Sequence, residues 1–290
     1  MLLKKILQRI VEYGHMIKFS HSIFALPFAL SSAVLANDAV PLTMEKLLWI
    51  VVAMVSARSA AMGFNRLVDR EYDAANPRTK NRHLPAGKIK AAEVAAFVLI
   101  SSLVFVFSSF KLNMLCFALS PVALFVIFFY SYTKRFTAFS HYVLGVALGI
   151  SPVGAWLAIT GSFALPPILL GLAVVFWVAG FDILYALQDY DFDRQYQLYS
   201  IPRLVGARKA MWIARFSHLV AFTLLFSLWI LLDLHFIYLL GLTVIAGLLS
   251  YEHALVEPDD LSQLDMAFFN MNGIISVIFF ISILGDYFLL

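Results

Sequence analysis

Nine long apolar runs constrain this chain more than any other feature. A helix needs about 20 mostly apolar residues to cross a bilayer. The sequence supplies such runs near 17–36, 42–64, 91–110, 112–133, 141–161, 166–188, 210–232, 234–251 and 266–287. They are continuous rather than alternating, so helices account for them and a barrel does not. Composition agrees, because 62% of the 290 residues are apolar and only 13% are charged. Soluble domains run at about 45–50% and 25%. A disordered chain is excluded, and a soluble enzyme is disfavoured. Pro27, Pro121 and Pro152 fall inside spans, where neighbouring helices can satisfy the freed carbonyls. The single cysteine, Cys116, allows no internal disulfide and no Cys-built zinc site, and a buried structural thiol is expected.

The basic residues test the count. Eighteen of the 21 Lys and Arg fall in the N-terminal segment (Lys4, Lys5, Arg9, Lys18), the 2–3, 4–5 and 6–7 loops, and the start of span 7. Only Lys46, Arg58 and Lys111 lie elsewhere. The positive-inside rule therefore predicts nine spans and a cytoplasmic N-terminus. A cleaved leader ending at Val34-Leu35-Ala36 is the rival reading of the start, but it would upset this parity. The acidic stretch Glu252–Asp265 is expected to be a solvated cytoplasmic loop. His15, His83, His141, His218, His235 and His253 show no ligand spacing.

Chemistry concentrates at the ends of spans 2 and 6. Asn65, Asp69 and Asp73 are spaced i, i+4, i+8, which puts all three on one helical face. Tyr185, Asp189 and Asp193 repeat that spacing, and Asp69 to Asp189 and Asp73 to Asp193 are each 120 residues apart. The two spans run in the same direction, so both clusters meet one membrane face in a weak internal repeat. Converging carboxylates repel unless a cation lies between them. Mg²⁺ takes oxygen ligands and shares them with phosphates, so two facing clusters could hold Mg²⁺ on a diphosphate while nearby Arg and Lys bind its remaining oxygens. The plainer alternative is that these acids face water and neutralise basic loops. Two matched clusters on one face favour the metal–diphosphate reading. The predicted fold class is all-α: a polytopic membrane protein, a single domain over residues 1–290, with a central cavity open to one membrane face.

These motifs resemble the UbiA superfamily of intramembrane prenyltransferases. N-x-x-x-D-x-x-x-D is met by Asn65, Asp69 and Asp73, and Y-x-x-x-D-x-x-x-D by Tyr185, Asp189 and Asp193. An R-T-x-x-R-x-L-x-x-G loop runs from Arg78 through Arg82 to Gly87, a Y-x-x-x-K-R element joins Tyr130, Lys134 and Arg135, and Arg58 stands seven residues before Asn65. The resemblance implies a Mg²⁺-dependent transfer from a polyprenyl diphosphate to an aromatic acceptor in ubiquinone or menaquinone biosynthesis. The setting is a bacterial inner membrane, with the site loops cytoplasmic and no nucleic acid involved. It assigns Asn65, Asp69, Asp73, Asp189 and Asp193 to the metal, the four Asp as catalytic. It assigns Arg58, Asn65, Arg78, Arg82, Tyr130, Lys134, Arg135 and Tyr185 to substrate.

The run Ile17–Ala29 is similar to the 4-hydroxybenzoate branch and its 1,4-dihydroxy-6-naphthoate relative. The stretch Gln197-Leu198-Tyr199-Ser200-Ile201-Pro202 departs from the ubiquinone pattern and favours the relative. Haem farnesylation, chlorophyll-precursor prenylation and, from another class, secondary transport are the alternatives. Transport sites usually sit at midplane on broken helices, whereas these acids sit at one face. Arg58 is read either as binding the acceptor's carboxylate or as pairing with a motif Asp. Lys134, Arg135, Arg78 and Arg82 are either phosphate ligands or topology charges. Lys18 is read as an interfacial anchor and His21 as a satisfied buried histidine. Asp182 is read as a pocket residue or a packing partner, and Phe125–Tyr130 as lipid-facing or core.

Overall fold

The computed structural model describes residues 9, 11–258 and 260–289. Lys4, Lys5 and Asp259 lie outside the described residues. A 3-10 turn, Phe19–Phe24, leads into α1 (Leu26–Leu35). Then follow α2 (Met44–Val68), α3 (Arg70–Ala75), α4 (Ala91–Leu112), α5 (Met114–Thr133), α6 (Ser140–Thr160) and α7 (Leu165–Tyr185). The chain continues through α8 (Tyr190–Gln195), α9 (Ile201–Val205), α10 (Ala207–Leu231), α11 (Phe236–Ala254) and α12 (Asn272–Leu289), the last preceded by a π-helical turn, Met266–Met271. Among the described residues nine segments are long and apolar enough to cross a membrane, and each overlaps one of the nine predicted runs. The protein is an all-helical, multi-pass membrane protein.

Local signals set the helix ends. Thr43 caps α2 by accepting from the Lys46 N–H, and Asn113 caps α5 by accepting from Cys116. Asn113 alone separates α4 from α5, and its Nδ2 also donates to the Leu157 carbonyl at 2.7 Å, fastening that hairpin to α6. Pro27 lies in the first turn of α1, where a missing N–H leaves no bond unmade, so it is no interior proline. Asp286 is 2% exposed within α12, and a carboxylate there needs partners. It finds them in the His235 and Tyr238 N–H groups at 2.8 and 3.0 Å, opposite the positive end of α11.

α1 and α7 form the middle of the bundle, with Phe28, Trp177, Phe181 and Phe279 packed around them. α4 and α5 lie outside and present Leu99, Phe107 and Phe125 to the lipid. The Phe125–Tyr130 stretch is thus mixed: Phe125 and Phe129 face outward, while Ile127 is buried. Two expectations, for Glu252 and for Cys116, are corrected. Glu252 is no loop residue: it ends α11 fully buried, bonded to Asn272 Nδ2 at 3.0 Å. His218 Nδ1 and His253 Nε2 lie 3.0 Å apart, a pairing that spacing along the chain does not reveal. Cys116 is free and only partly buried.

Lipid tails give helices little hydrophobic reason to associate, so small residues that permit close contact matter. α6 meets α7 through Gly145, Gly149 and Gly171, and a Cβ on Gly149 would stand 2.6 Å from the Gly171 carbonyl oxygen. Relief would require moving backbone. Gly149→Val should therefore destabilise the protein by about 1–3 kcal/mol, the usual range for overpacking. Thermal unfolding in detergent should show a lower midpoint, while Gly154→Val, which meets nothing within 4 Å, should leave it nearly unchanged.

Candidate active site

Both acidic clusters form at the same kind of break. α2 stops at Val68, Asp69 adopts φ −92°, ψ 4°, and α3 resumes at Arg70. Past α7, a 3-10 turn ends at Asp189 with φ −100°, ψ 7°, and α8 begins at Tyr190. This bridge region is sparsely populated and recurs at active sites. The predicted continuous helix through Asp73 is therefore bent at its middle aspartate. Its bonds persist across the bend, from Asp69 N to Asn65 O at 2.9 Å and from Asp73 N to Asp69 O at 2.8 Å. The 120-residue repeat is structural as well as sequential.

Asp69 and Asp73 are only 4% and 5% exposed. Asp69 Oδ2 accepts from Asn65 Nδ2 at 2.9 Å and pairs with Lys134 Nζ at 2.7 Å. Arg135 approaches its other oxygen at 4.0 Å, donates to the Val68 carbonyl and lies with Lys134 over the Tyr72 ring. Asp73 Oδ1 pairs with Arg82 at 2.7 Å, and Arg66 stands 4.0 Å from Oδ2. The Thr79 hydroxyl donates to the Asp73 carbonyl, which ties the loop back onto α3.

Asp189 joins the two halves. Arg78 grips it through both Nε, at 3.1 Å, and Nη2, while Asn76 Nδ2 donates to Oδ1 at 2.9 Å. Arg78 also donates to Tyr185 Oη at 3.3 Å. Partial burial opposes the Arg78 charge, but the hydrogen bond and charge of Asp189 outweigh it, so its guanidinium holds its proton above the ordinary arginine value. Asp193 lies on α8, and its backbone carbonyl accepts from the Leu198 N–H at 3.0 Å. Tyr130 sits within electrostatic reach of Asp69, Asp182, Arg66 and Arg82. An open cavity of about 270 Å³ borders this region, lined by Lys18, His21, Tyr185, Asp265, Phe268 and Phe269.

Arg58 stands apart. It donates to the Lys18 carbonyl at 3.3 Å, and its Nε is buried without a partner. Among the described residues it pairs with no motif aspartate, so the pairing alternative is not seen. Sequence reasoning missed Asn76 and treated Arg66 only as a topology charge. Asn76-Pro77 reads as an ordinary turn, and nothing in its spacing points across the bundle to Asp189.

Among the described residues no three His, Cys, Asp or Glu side chains form a ready-made metal cage. The donors nevertheless suit Mg²⁺. They are all oxygens, and Asp69 Oδ1 and Asp73 Oδ2 are buried with no hydrogen-bond partner among the described residues. Mg²⁺ usually needs only one or two carboxylates, taking further oxygens from phosphates and water.

The model of the UbiA prenyltransferase family matches residues 25–274. The chain belongs to that family. It is 29% identical to a 4-hydroxybenzoate octaprenyltransferase of Polynucleobacter asymbioticus over 96% of this chain and 97% of that one. It is 33% identical to one of Methylobacillus flagellatus, over 82% and 80%. Among solved structures, the apo UbiA homologue from Aeropyrum pernix K1 superposes with a TM-score of 0.84 at 31% identity, covering 92% of this chain and 98% of that one. A UbiA homologue from Archaeoglobus fulgidus bound to DMAPP and Mg²⁺ shares the fold with a TM-score of 0.70 at 17% identity, over 96% of this chain and 100% of that one. Membership in the family makes this protein a prenyltransferase and sets the transporter alternative aside.

Asn76 offers a test of the inter-repeat link. A hydrogen bond to a charged group is worth about 1.5–3 kcal/mol, and about 1.4 kcal/mol is a factor of ten in rate. Asn76→Ala should lower kcat/KM about tenfold or more in a prenyl-transfer assay, with the protein still folded by thermal unfolding.

Proposed function

We propose that this UbiA-family enzyme, a single domain, transfers a polyprenyl group from polyprenyl diphosphate to a hydroxylated aromatic carboxylate during quinone biosynthesis. The acceptor class is that of 4-hydroxybenzoate or 1,4-dihydroxy-6-naphthoate. One observation carries the reading: two aspartate clusters at matching helix breaks, each clasped by loop cations, with two buried carboxylate oxygens left uncovered. The names of the relatives support the acceptor class. Their bacterial origin and the basic loops support a bacterial inner membrane with the site facing the cytoplasm.

Asn65, Asp69, Asp73, Asp189 and Asp193 would hold Mg²⁺, which when bound neutralises charge on the leaving diphosphate. Arg78, Arg82, Lys134 and Arg135 already stand at these carboxylates and would turn to the phosphate oxygens as the diphosphate arrives. Fixed cations there stabilise charge as the allylic C–O bond breaks and the bonding pair leaves with the diphosphate. Tyr185 lines the open cavity, where an aromatic ring would attack the allylic carbon, and Tyr130 would contribute to that substrate site. The surrounding helices keep water from the cation. The departure of Tyr199, Ile201 and Pro202 from the ubiquinone-branch pattern supports the naphthoate.

Asp69→Ala or Asp189→Ala should abolish turnover, because each removes an oxygen ligand and frees a cation from its partner. EDTA should do the same and added Mg²⁺ restore it. Full activity in chelator or in either variant rules the mechanism out. Mass spectrometry of products from both acceptors, offered separately, identifies the aromatic acid.

Arg58 is assigned to the acceptor's carboxylate. It stands about 10 Å below Asn65 at 1.5 Å per residue, buried and without an acidic partner among the described residues. Its planar fork matches a carboxylate in two hydrogen bonds, and lysine cannot copy that. Arg58→Lys should raise KM for the aromatic acid at least about tenfold and change that for prenyl diphosphate little. The reverse pattern overturns the assignment.

A further inference from the structure

Aromatic alkylation releases a ring proton, and the metal and phosphate ligands are already engaged by the diphosphate in the reading above. Three side chains converge one layer below the diphosphate site. Asp182 lies seven residues before Asp189 on α7, so it shares the face of Tyr185 and Asp189 and sits about 10 Å deeper at 1.5 Å per residue. Its neighbours Phe181, Ile183 and Leu184 are 0–2% exposed, yet the Asp182 side chain is 21% exposed. Its side chain therefore keeps an accessible surface where its chain neighbours keep none. Tyr130 is within its electrostatic reach, and Asp69 is within that of Tyr130, so Asp182 lies on the same side of the bundle as the site.

The carboxylate is held from behind. His141, on α6 and 3% exposed, places Nδ1 2.7 Å from Asp182 Oδ2. The Ile201 N–H, at the start of α9, points to His141 Nε2 at 3.3 Å. A backbone N–H can only donate, so Nε2 accepts, the ring proton sits on Nδ1, and Nδ1 donates to Asp182. That bond engages Oδ2 and leaves Oδ1 clear of the imidazole. An ionisable group at this depth is costly unless it has a task.

Resting on the acceptor assignment above, we propose that Asp182, positioned by His141, is the general base that takes the ring proton. The depth fits. In the matched repeat Arg58 stands eleven residues before Asp69 and Asp182 seven before Asp189, so Arg58 lies about 6 Å deeper at 1.5 Å per residue, an offset that one aromatic ring bearing a carboxylate can bridge. No ion pair within 4 Å joins them among the described residues, which leaves each free for opposite ends of one aromatic acid. The ring's π electrons form the new C–C bond to the allylic carbon, whose C–O pair has left with the diphosphate. The C–H bond at the alkylated carbon then breaks. Its electrons restore the aromatic ring, its proton passes to Asp182 Oδ1, and His141 keeps its own proton and steadies the carboxylate.

The test uses full-length enzyme with an acceptor deuterated at the ring carbon that is alkylated. Asp182→Asn keeps the shape and can still receive a hydrogen bond from His141, but it cannot take a proton. Its kcat should fall about 100-fold or more, the range for loss of a general base, with KM for both substrates within about threefold. A primary isotope effect on kcat should appear in the variant and be larger than in the wild type, because deprotonation becomes limiting. His141→Gln should show a smaller loss with the same isotope signature. Equilibrium binding of prenyl diphosphate with Mg²⁺, unchanged in both variants, reports an intact site without relying on turnover. If kcat stays within about threefold, or falls with no increase in isotope effect, Asp182 is a packing residue and the proposal is wrong. If Asp182→Asn fails to bind prenyl diphosphate, His141→Gln decides by the same isotope criterion. A wild type that alkylates no aromatic acid sinks the acceptor reading and this proposal together, whereas turnover without the isotope signature sinks only this one.

Discussion

Carboxylates taken out of water need partners, and a buried charge without one costs several kcal/mol. Asp69 and Asp73 are almost wholly buried at the membrane face, and their partners come from elsewhere in the chain. Lys134 arrives from the end of α5, Arg82 from the loop after α3, and that loop also sends Arg78 across to Asp189. The same pairs thus dock the loop over the helix ends, join the two repeats and gather cations where an anionic substrate would bind. Structure and readiness for diphosphate are one arrangement, because the cations that satisfy the acids in the free protein are those that suit phosphate.

The bundle beneath has the opposite physics. In lipid the hydrophobic effect does not draw helices together, so contact depends on close backbone approach and on polar groups finding one another. Gly149 against Gly171 supplies the first, and Asp286 capping α11 supplies the second. These contacts are distant from the chemistry, yet they set the orientation of α7. That helix carries Tyr185 and delivers Asp189 to its break. A shift of α7 along α6 would move the second cluster relative to the first and break the Asn76–Asp189 bond.

Much of this was legible along the chain because the relevant periods are short. Twenty-residue apolar runs mark spans, the i, i+4 spacing marks a face, and basic loops mark a side. The two aspartate motifs could therefore be assigned to one membrane face before any coordinates. Other residues were not legible. Asn76 looks like a turn residue and Arg66 like a loop charge, and their partners lie on other elements or behind a bend. Glu252 falls in a stretch rich in acids and reads as solvated, but the helix continues past it and turns it inward to Asn272.

What the sequence by itself determined is the class, the span count, the polarity of the loops and the residue types at the two clusters. Each depends on local pattern or on the cost of placing charge in hydrocarbon. Only the tertiary structure decided which cation meets which aspartate, that Arg58 has no acidic partner among the described residues, and that His141 and Asp182 meet across α6 and α7. Those pairings join residues 9 to 111 positions apart. Helix rotation and depth bring them together, and no period along a single chain encodes which face of one helix turns toward another.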